Sequence, residues 1–313
     1  MRTLFLTALM CLSLWGDAHI FVYHRFGDNR HASTNTSLKV LKKHFEYFKT
    51  HGYKVVSLKR LNRALKNSEF IPDNWVVLNI DDSYRSFYEN GLKLFKKYHY
   101  PFTLFVYVEA TQKGYGDFMS WKEIKDASDY GEIALHSYSH KHMVDLNFED
   151  ILEDTKKSYD LFVSKMGFKP KYYAYPYGEY NEIVKKAIKS FGFNLIMNQN
   201  AGAVNKFSNP YDLDRIALTG DVNLKRKFSI KVLDVNWIEP KNYPKDGNLK
   251  RIHAKIASSI KKVEYYISGY GWQYTSVNNG NVNINIDKKL KFSRNRLFLK
   301  NKNYQSSIIL VKE

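Results

Sequence analysis

Trp75-Val76-Val77-Leu78-Asn79-Ile80-Asp81-Asp82 decides how this chain is read. An apolar run of this kind, rich in β-branched residues and closed by polar ones, is the pattern of a strand buried on both faces. Two carboxylates stand just past its end. A second run, Glu132-Ile133-Ala134-Leu135, leads in the same way into His136-Ser137-Tyr138-Ser139-His140. In a parallel α/β sheet or barrel, the edge beyond the strand ends is where chemistry collects. Two imidazoles and one carboxylate make a metal set with open coordination positions, and the second carboxylate is left over as a base. Histidines at i and i+4 face one way on a helical turn, which is the arrangement expected of His136 and His140. Zinc suits such a set, and iron, cobalt or nickel would also fit.

Outward from these runs, strand and helix patterns alternate. Ile20-Phe21-Val22-Tyr23 reads as a strand running into His24. Leu38, Leu41, Phe45 and Phe48 fall at helical spacing before Gly52. Extended patterns at 53–58, 102–108, 172–175 and 193–197 are separated by helical ones at 84–98, 121–130, 148–166 and 181–191. This βα alternation predicts an α/β domain, a parallel sheet or barrel of about seven units. Past Gly220 the pattern changes. Segments 228–235, 263–268, 272–277, 282–286, 296–299 and 307–311 look extended, and Asn278-Asn279-Gly280-Asn281 is a hairpin turn signal. Only 249–260 carries a helical pattern there. The chain is therefore divided into an α/β domain at 19–219 and an antiparallel β-sandwich at 220–313.

Composition sets further bounds. The 313 residues carry a net charge of +18 and are 44% hydrophobic, ample for a sizeable core. A basic balance points to anionic surroundings, but the lysines are spread thinly and form no dense block, which argues against nucleic acid as partner. Met1-Arg2, an apolar stretch from Thr3 to Trp15, and Gly16-Asp17-Ala18 have the layout of a secretory signal peptide cut after Ala18. The predicted location is the periplasm or the cell exterior. Cys11, the single cysteine, lies in that stretch, so the mature chain would have no disulfide and no thiolate chemistry. No other segment is long and apolar enough for a transmembrane span.

The order of Asn79-Ile80-Asp81-Asp82, His136-Ser137-Tyr138-Ser139-His140 and Tyr175-Pro176-Tyr177-Gly178 resembles the polysaccharide deacetylases of carbohydrate esterase family four. The resemblance covers most of residues 19–219. It implies a distorted (β/α) barrel that hydrolyses acetyl groups on glycans with one divalent metal ion. Carried over by motif, Asp81 is the general base, and Asp82, His136 and His140 are the metal ligands. The backbone N–H of Tyr177 is the oxyanion donor, and Tyr175, Tyr177 and Trp121 are candidate sugar-stacking walls. Three departures stand out. Ser83 follows the Asp pair where many members have Gly. Ala174 stands where the common pattern has an Arg that supports the base. No late Leu-x-His motif supplies the usual acid. The opening Tyr23-His24-Arg25-Phe26 instead resembles the exported poly-β-1,6-N-acetylglucosamine deacetylases, in which the acid histidine sits on the N-terminal strand. His24 then takes that role, and Leu213-Asp214-Arg215-Ile216 looks like their closing strand, with Arg215 near the site. The function implied is N-deacetylation of an acetylated polysaccharide of the cell envelope or exterior, such as an N-acetylglucosamine polymer or peptidoglycan. The alternative is a glycan-binding envelope protein that keeps the fold without turnover. Trp272, Tyr270 and Tyr274 in the sandwich are further candidate stacking faces.

Overall fold

The structure is a computed structural model that describes residues 16–312. Most of the expected signal segment lies outside the described residues. Gly16 to Ala18 lie within them and are packed into the fold. Asp17 N–H donates to Asp73 Oδ1 at 2.7 Å, and Ala18 exchanges backbone hydrogen bonds of 2.8 and 2.9 Å with Val204.

The first part runs β1 (His19–Tyr23), β2 (Arg25–Phe26), β3 (Asn35–Thr36), α1 (Leu38–Thr50), β4 (Lys54–Val55), α2 (Leu58–Lys66), β5 (Trp75–Ile80), α3 (Leu92–Tyr98), β6 (Thr103–Val106), α4 (Val108–Lys113), α5 (Trp121–Ser128), β7 (Glu132–Leu135), α6 (Phe148–Met166), β8 (Tyr172–Ala174), α7 (Glu182–Lys189), β9 (Leu195–Met197), β10 (Ile216–Ala217) and α8 (Leu224–Phe228). The main sheet has the order β10-β1-β5-β6-β7-β8-β9, with β4 beside the start of β5, and its pairings are parallel. Leu213 bridges to Met197 at the end of β9, and Ile216 then pairs with Phe21 of β1. One short segment thus joins both sheet edges and closes a distorted (β/α) barrel.

Alternation along the strands fills two cores. On β5, Val76, Leu78 and Ile80 pack in the layer under the helices, while Trp75 and Val77 join Ile20, Phe105, Ala134, Ala174 and Met197 in a second cluster. Burial on both faces is why these strands read as continuous apolar runs. The helices begin where side chains satisfy orphan N–H groups. Ser120 and Glu123 form a reciprocal capping box on α5, and Asn147 caps α6, which Gly167 ends with φ 80°. Three helices were not expected from the sequence: α2, α4 and α8, the last taking Phe228 out of the extended segment expected at 228–235. Ser57 caps α2 and Tyr107 precedes α4, so Leu58 and Val108 open helices rather than closing strands.

The second part holds β11 (Lys231–Val232), β12 (Asn236–Glu239), β13 (Asn248–Lys255), β14 (Lys262–Ile267), β15 (Gly271–Ser276), β16 (Asn281–Lys289), β17 (Arg294–Asn301) and β18 (Tyr304–Val311). A five-stranded sheet, β11-β18-β17-β14-β15, faces a three-stranded one, β12-β13-β16. Ile252, Val263, Ile267, Val282, Leu297 and Leu299 fill the space between. The helical expectation for 249–260 is wrong. Ile252, Ala254 and Ile256 alternate with polar residues, and that period-two signal wins. Asn279 and Gly280 both have positive φ, and Asn278 and Asn281 exchange backbone hydrogen bonds of 3.0 and 2.9 Å across them, as a tight hairpin turn requires, but β15 and β16 on either side then diverge into different sheets.

Candidate active site

Asp81 and Asp82 follow β5, His136 follows β7, His24 follows β1, and Tyr175 to Tyr177 follow β8. Parallel pairing brings these strand ends to one edge of the barrel. Asp82 Oδ1 lies 3.0 Å from His140 Nε2 and 3.3 Å from His136 Nε2, and the two imidazole nitrogens are 3.3 Å apart. Ligand bonds of about 2.0–2.2 Å place donor atoms roughly 2.8–3.6 Å apart, depending on the bond angle. The three groups therefore fit a divalent cation between them. Two further observations agree. Asp82 Oδ1 is buried without a hydrogen-bond partner. His136 Nδ1 lies 2.7 Å from the Ala174 carbonyl, which requires an N–H there and leaves Nε2 as a bare lone pair.

The loop that carries the histidines is not a helical turn. Ser137 (φ 65°) and His140 (φ 51°) take left-handed conformations, so the two rings converge through a strained bend instead. Asp154, in the second turn of α6, holds that bend. It accepts the Tyr138 and Ser139 N–H groups at 2.9 Å each and the Ser139 hydroxyl at 2.5 Å. Asp82 (φ 71°), Ser83 (φ 57°) and Tyr177 (φ 57°) are left-handed too. Half of the ten such non-glycine residues that are described cluster here, where strain is stored for function.

Asp81 and Arg215 form a fully buried pair. Arg215 Nη1 and Nη2 donate to the two Asp81 oxygens at 2.8 Å each, and Nε donates to the Asn198 carbonyl at 2.7 Å. This fork supplies the guanidinium that Ala174 cannot. Burial alone would raise the Asp81 carboxyl, but Arg215, His136 and His24 together hold it below the usual carboxylate range. Burial likewise opposes ionisation of Asp82, and His136, His140 and His24 hold it well below that range. Burial pulls His136 down, and Asp81, Asp82 and the Ala174 carbonyl raise it overall. His24 is half-buried, close enough to influence both carboxylates, and its Nδ1 is buried without a partner.

The expected sugar walls separate. The Tyr177 ring is 36% exposed, lies edge-on to His140 with centroids 4.6 Å apart, and stacks on His142 at 4.0 Å. Tyr175 is fully buried between Tyr173 and Tyr180, so it is core and cannot stack on a glycan. Trp121 opens α5 and donates its indole N–H to Gln112 of α4. Tyr107 was not foreseen. Its ring faces His140 with centroids 5.2 Å apart.

The sandwich reaches this rim. Arg294 of β17 donates to the Tyr177 carbonyl at 2.7 Å and pairs with buried Glu179 at 3.2 Å, which in turn holds His142 Nδ1 at 2.6 Å. Arg296, two residues on, donates to the Gln199 carbonyl at 2.8 Å. A second group of metal-ligand type, Asp28, His31 and Asp117, is neutralised by Arg25 and Arg30 instead.

The closed parallel barrel thus gathers two carboxylates, two imidazoles and a buried arginine at its strand ends. Residues 71–196 match the family model for polysaccharide deacetylases. Its curated relatives include the poly-β-1,6-N-acetyl-D-glucosamine N-deacetylase of Escherichia coli K12, 22% identical over 76% of this chain and 42% of that protein. The chain thus spans less than half the length of that relative. The enzyme of the same name from Staphylococcus aureus MSSA476 is 27% identical over 64% of this chain and 73% of its own. Among solved structures, the Streptococcus pyogenes deacetylase PplD in complex with acetate has a TM-score of 0.62 at 22% identity, covering 68% of this chain and 98% of that one. IcaB from Ammonifex degensii has a TM-score of 0.60 at 22% identity, covering 65% and 92%. These structures share the fold of the barrel.

Proposed function

We propose that the protein is an exported, metal-dependent N-deacetylase of an N-acetylglucosamine polymer. The observation that carries this reading is the Arg215–Asp81 fork set beside the open Asp82–His136–His140 group. It keeps a buried carboxylate ionised next to a place for a cation. A bound divalent ion, zinc or alternatively cobalt, nickel or iron, would polarise the acetyl carbonyl and acidify a water. Asp81 then takes the proton of the attacking water. Arg215 fixes the orientation of its two oxygens, so the proton is received without reorganisation. The Tyr177 N–H faces the developing oxyanion, and His24 delivers a proton to the leaving amine nitrogen. Tyr177 and Tyr107 flank His140 and supply aromatic faces for the sugar.

The curated relatives from Escherichia coli and Staphylococcus aureus support a poly-β-1,6-linked substrate. The glycan-binding alternative drew on the missing arginine at Ala174 and on Ser83 after the Asp pair; the Arg215 fork answers the first of these. Acetate release from β-1,6- and β-1,4-linked N-acetylglucosamine oligomers, with the metal stripped and restored, tests the proposal. Turnover that ignores chelation, or none on either oligomer, overturns it. His24→Ala should keep bound metal and lose turnover by about 10²-fold, less with aryl acetates, whose leaving groups need no proton.

Export is part of the proposal. Cleavage after Ala18 would remove the Asp17–Asp73 and Ala18–Val204 contacts. Amino-terminal sequencing of the secreted chain shows whether the cut falls there or before Gly16.

A further inference from the structure

A second binding feature lies away from the barrel edge, between α8 and the outer face of the five-stranded sheet. The cleft there has a volume of about 570 Å³. In a two-sheet sandwich the outward positions of each strand are normally polar. Here one outward row is aromatic. Trp272 of β15, Tyr266 of β14 and Phe298 of β17 stand opposite one another in register, with ring centroids 5.3 to 5.8 Å apart. Trp272 is 44% exposed and lines the cleft with Phe298.

Arg226, Lys227 and Lys300 line the same cleft, and among the described residues no carboxylate does. None of the three makes an ion pair among the described residues. Glu264 is the cross-strand neighbour of Lys300, yet the two are not paired either. Lys300 Nζ instead lies 5.5 Å from the Trp272 ring centre. Cations gathered without counter-charge repel one another, and burial, with Arg226 and Arg296 nearby, pulls the Lys227 ammonium down. An anion in the cleft would relieve that repulsion. A flat, exposed indole beside it is a surface for a sugar ring.

We propose that this cleft binds an anionic saccharide, with a sugar ring on Trp272 and a carboxylate or phosphate group held by Arg226, Lys227 and Lys300. The site is built from α8 and the sandwich, so it stands whether or not the barrel deacetylates. Such a site would also reject a deacetylated, cationic glucosamine polymer, giving the protein a hold on an acidic glycan rather than on its own product.

Calorimetric titration of the full chain tests this. The probes are a galacturonate oligomer, a neutral N-acetylglucosamine oligomer of equal length, inorganic phosphate and a single-stranded oligonucleotide. The galacturonate oligomer should bind best and weaken with added salt. Trp272→Ala should weaken it by about tenfold and leave phosphate unaffected, and Arg226→Gln with Lys300→Gln should weaken both by a similar factor or more. Lys93→Gln on α3 should change nothing, and circular dichroism checks that each variant is folded. No galacturonate binding, equal affinity for the neutral oligomer, indifference to Trp272→Ala, or tighter binding of the oligonucleotide through the same residues would each overturn the proposal.

Discussion

At the barrel edge nearly every charge has an ionic partner, whereas in the sandwich cleft the cations form no ion pair among the described residues. Asp81 is locked in the Arg215 fork, Asp154 clamps the histidine loop, and Glu179 bridges His142 and Arg294. Asp82 Oδ1 and His24 Nδ1 are among the buried polar atoms that lack a hydrogen-bond partner within the described residues, and they are the groups proposed to meet metal and substrate. A site that does chemistry is preorganised by neighbours and left open only at the reacting atoms. A site that holds a ligand leaves its charges for the ligand to satisfy. Arg226, Lys227 and Lys300 fit the second description.

The sharpest way to break this comparison lies in the adjacent carboxylates. Asp81→Asn should retain bound metal and lose turnover by roughly 10²–10⁴-fold. Asp82→Asn should lose the metal itself. Metal content and kcat, measured on the same preparations, separate the two. Equal metal loss in both variants would mean that the pair acts as one ligand, and the base would have to be sought elsewhere.

The next effect is on stability. Burial pulls His19 and His44 down to about 4, so both are neutral in the folded barrel. His19 meets the Ile230 carbonyl, with Lys231 and Asp73 nearby. His44 meets the Tyr23 hydroxyl, with Lys43 and Asp221 nearby. Their folded pKa values lie below the ordinary value of 6.5, so the unfolded chain binds more protons as pH falls. Stability is complete above pH 6.5, declines between 6.5 and 4, and the loss approaches ~3 kcal/mol for each histidine. The sandwich has one histidine, His253, half-buried on β13. Hydrogen exchange at pH 7 and pH 5 should therefore show the barrel opening first. If the sandwich opens first or both open together, the barrel histidines do not set acid stability.

How much was legible in the sequence follows the same division. The strands bearing Asp81, Asp82 and His136 are buried on both faces, and such runs are visible without a structure. Arg215 carried a signal only through resemblance, because one arginine after Leu213-Asp214 has no pattern of its own. Its fork spans 134 residues of sequence. Asp154 was hidden for another reason. An acid in mid-helix normally faces solvent, and only the tertiary approach of the histidine loop turns it into a clamp. Tyr175 misled because aromatic residues at strand ends look alike whether they line a pocket or fill the core. The outer aromatic row was invisible as a row, since it exists only once β14, β15 and β17 are in register.

The smallest expected effect probes the contact between Arg294 of the sandwich and Tyr177 at the rim of the site. Tyr177 holds a left-handed φ of 57°, which costs a non-glycine residue of the order of 1 kcal/mol. Gly178 follows it with no room for a side chain, since an added Cβ would meet Gln199 Cβ at 2.3 Å. Arg294 and Arg296 fasten the carbonyls of Tyr177 and Gln199 from the sandwich side. The sandwich thus braces the turn that presents the Tyr177 N–H. Arg294→Ala should lower kcat about tenfold, the size of a misplaced oxyanion donor, while KM and metal content change little. Arg294→Lys should recover only part of this, because an ammonium cannot reproduce the fork that reaches a carbonyl and Glu179 together. Trp272→Ala, on the same sheet, should leave kcat on short oligomers unchanged. If Arg294→Ala instead raises KM at constant kcat, the brace serves substrate binding rather than the oxyanion. If neither parameter moves, the sandwich is only attached to the barrel at this point, and the two regions work independently.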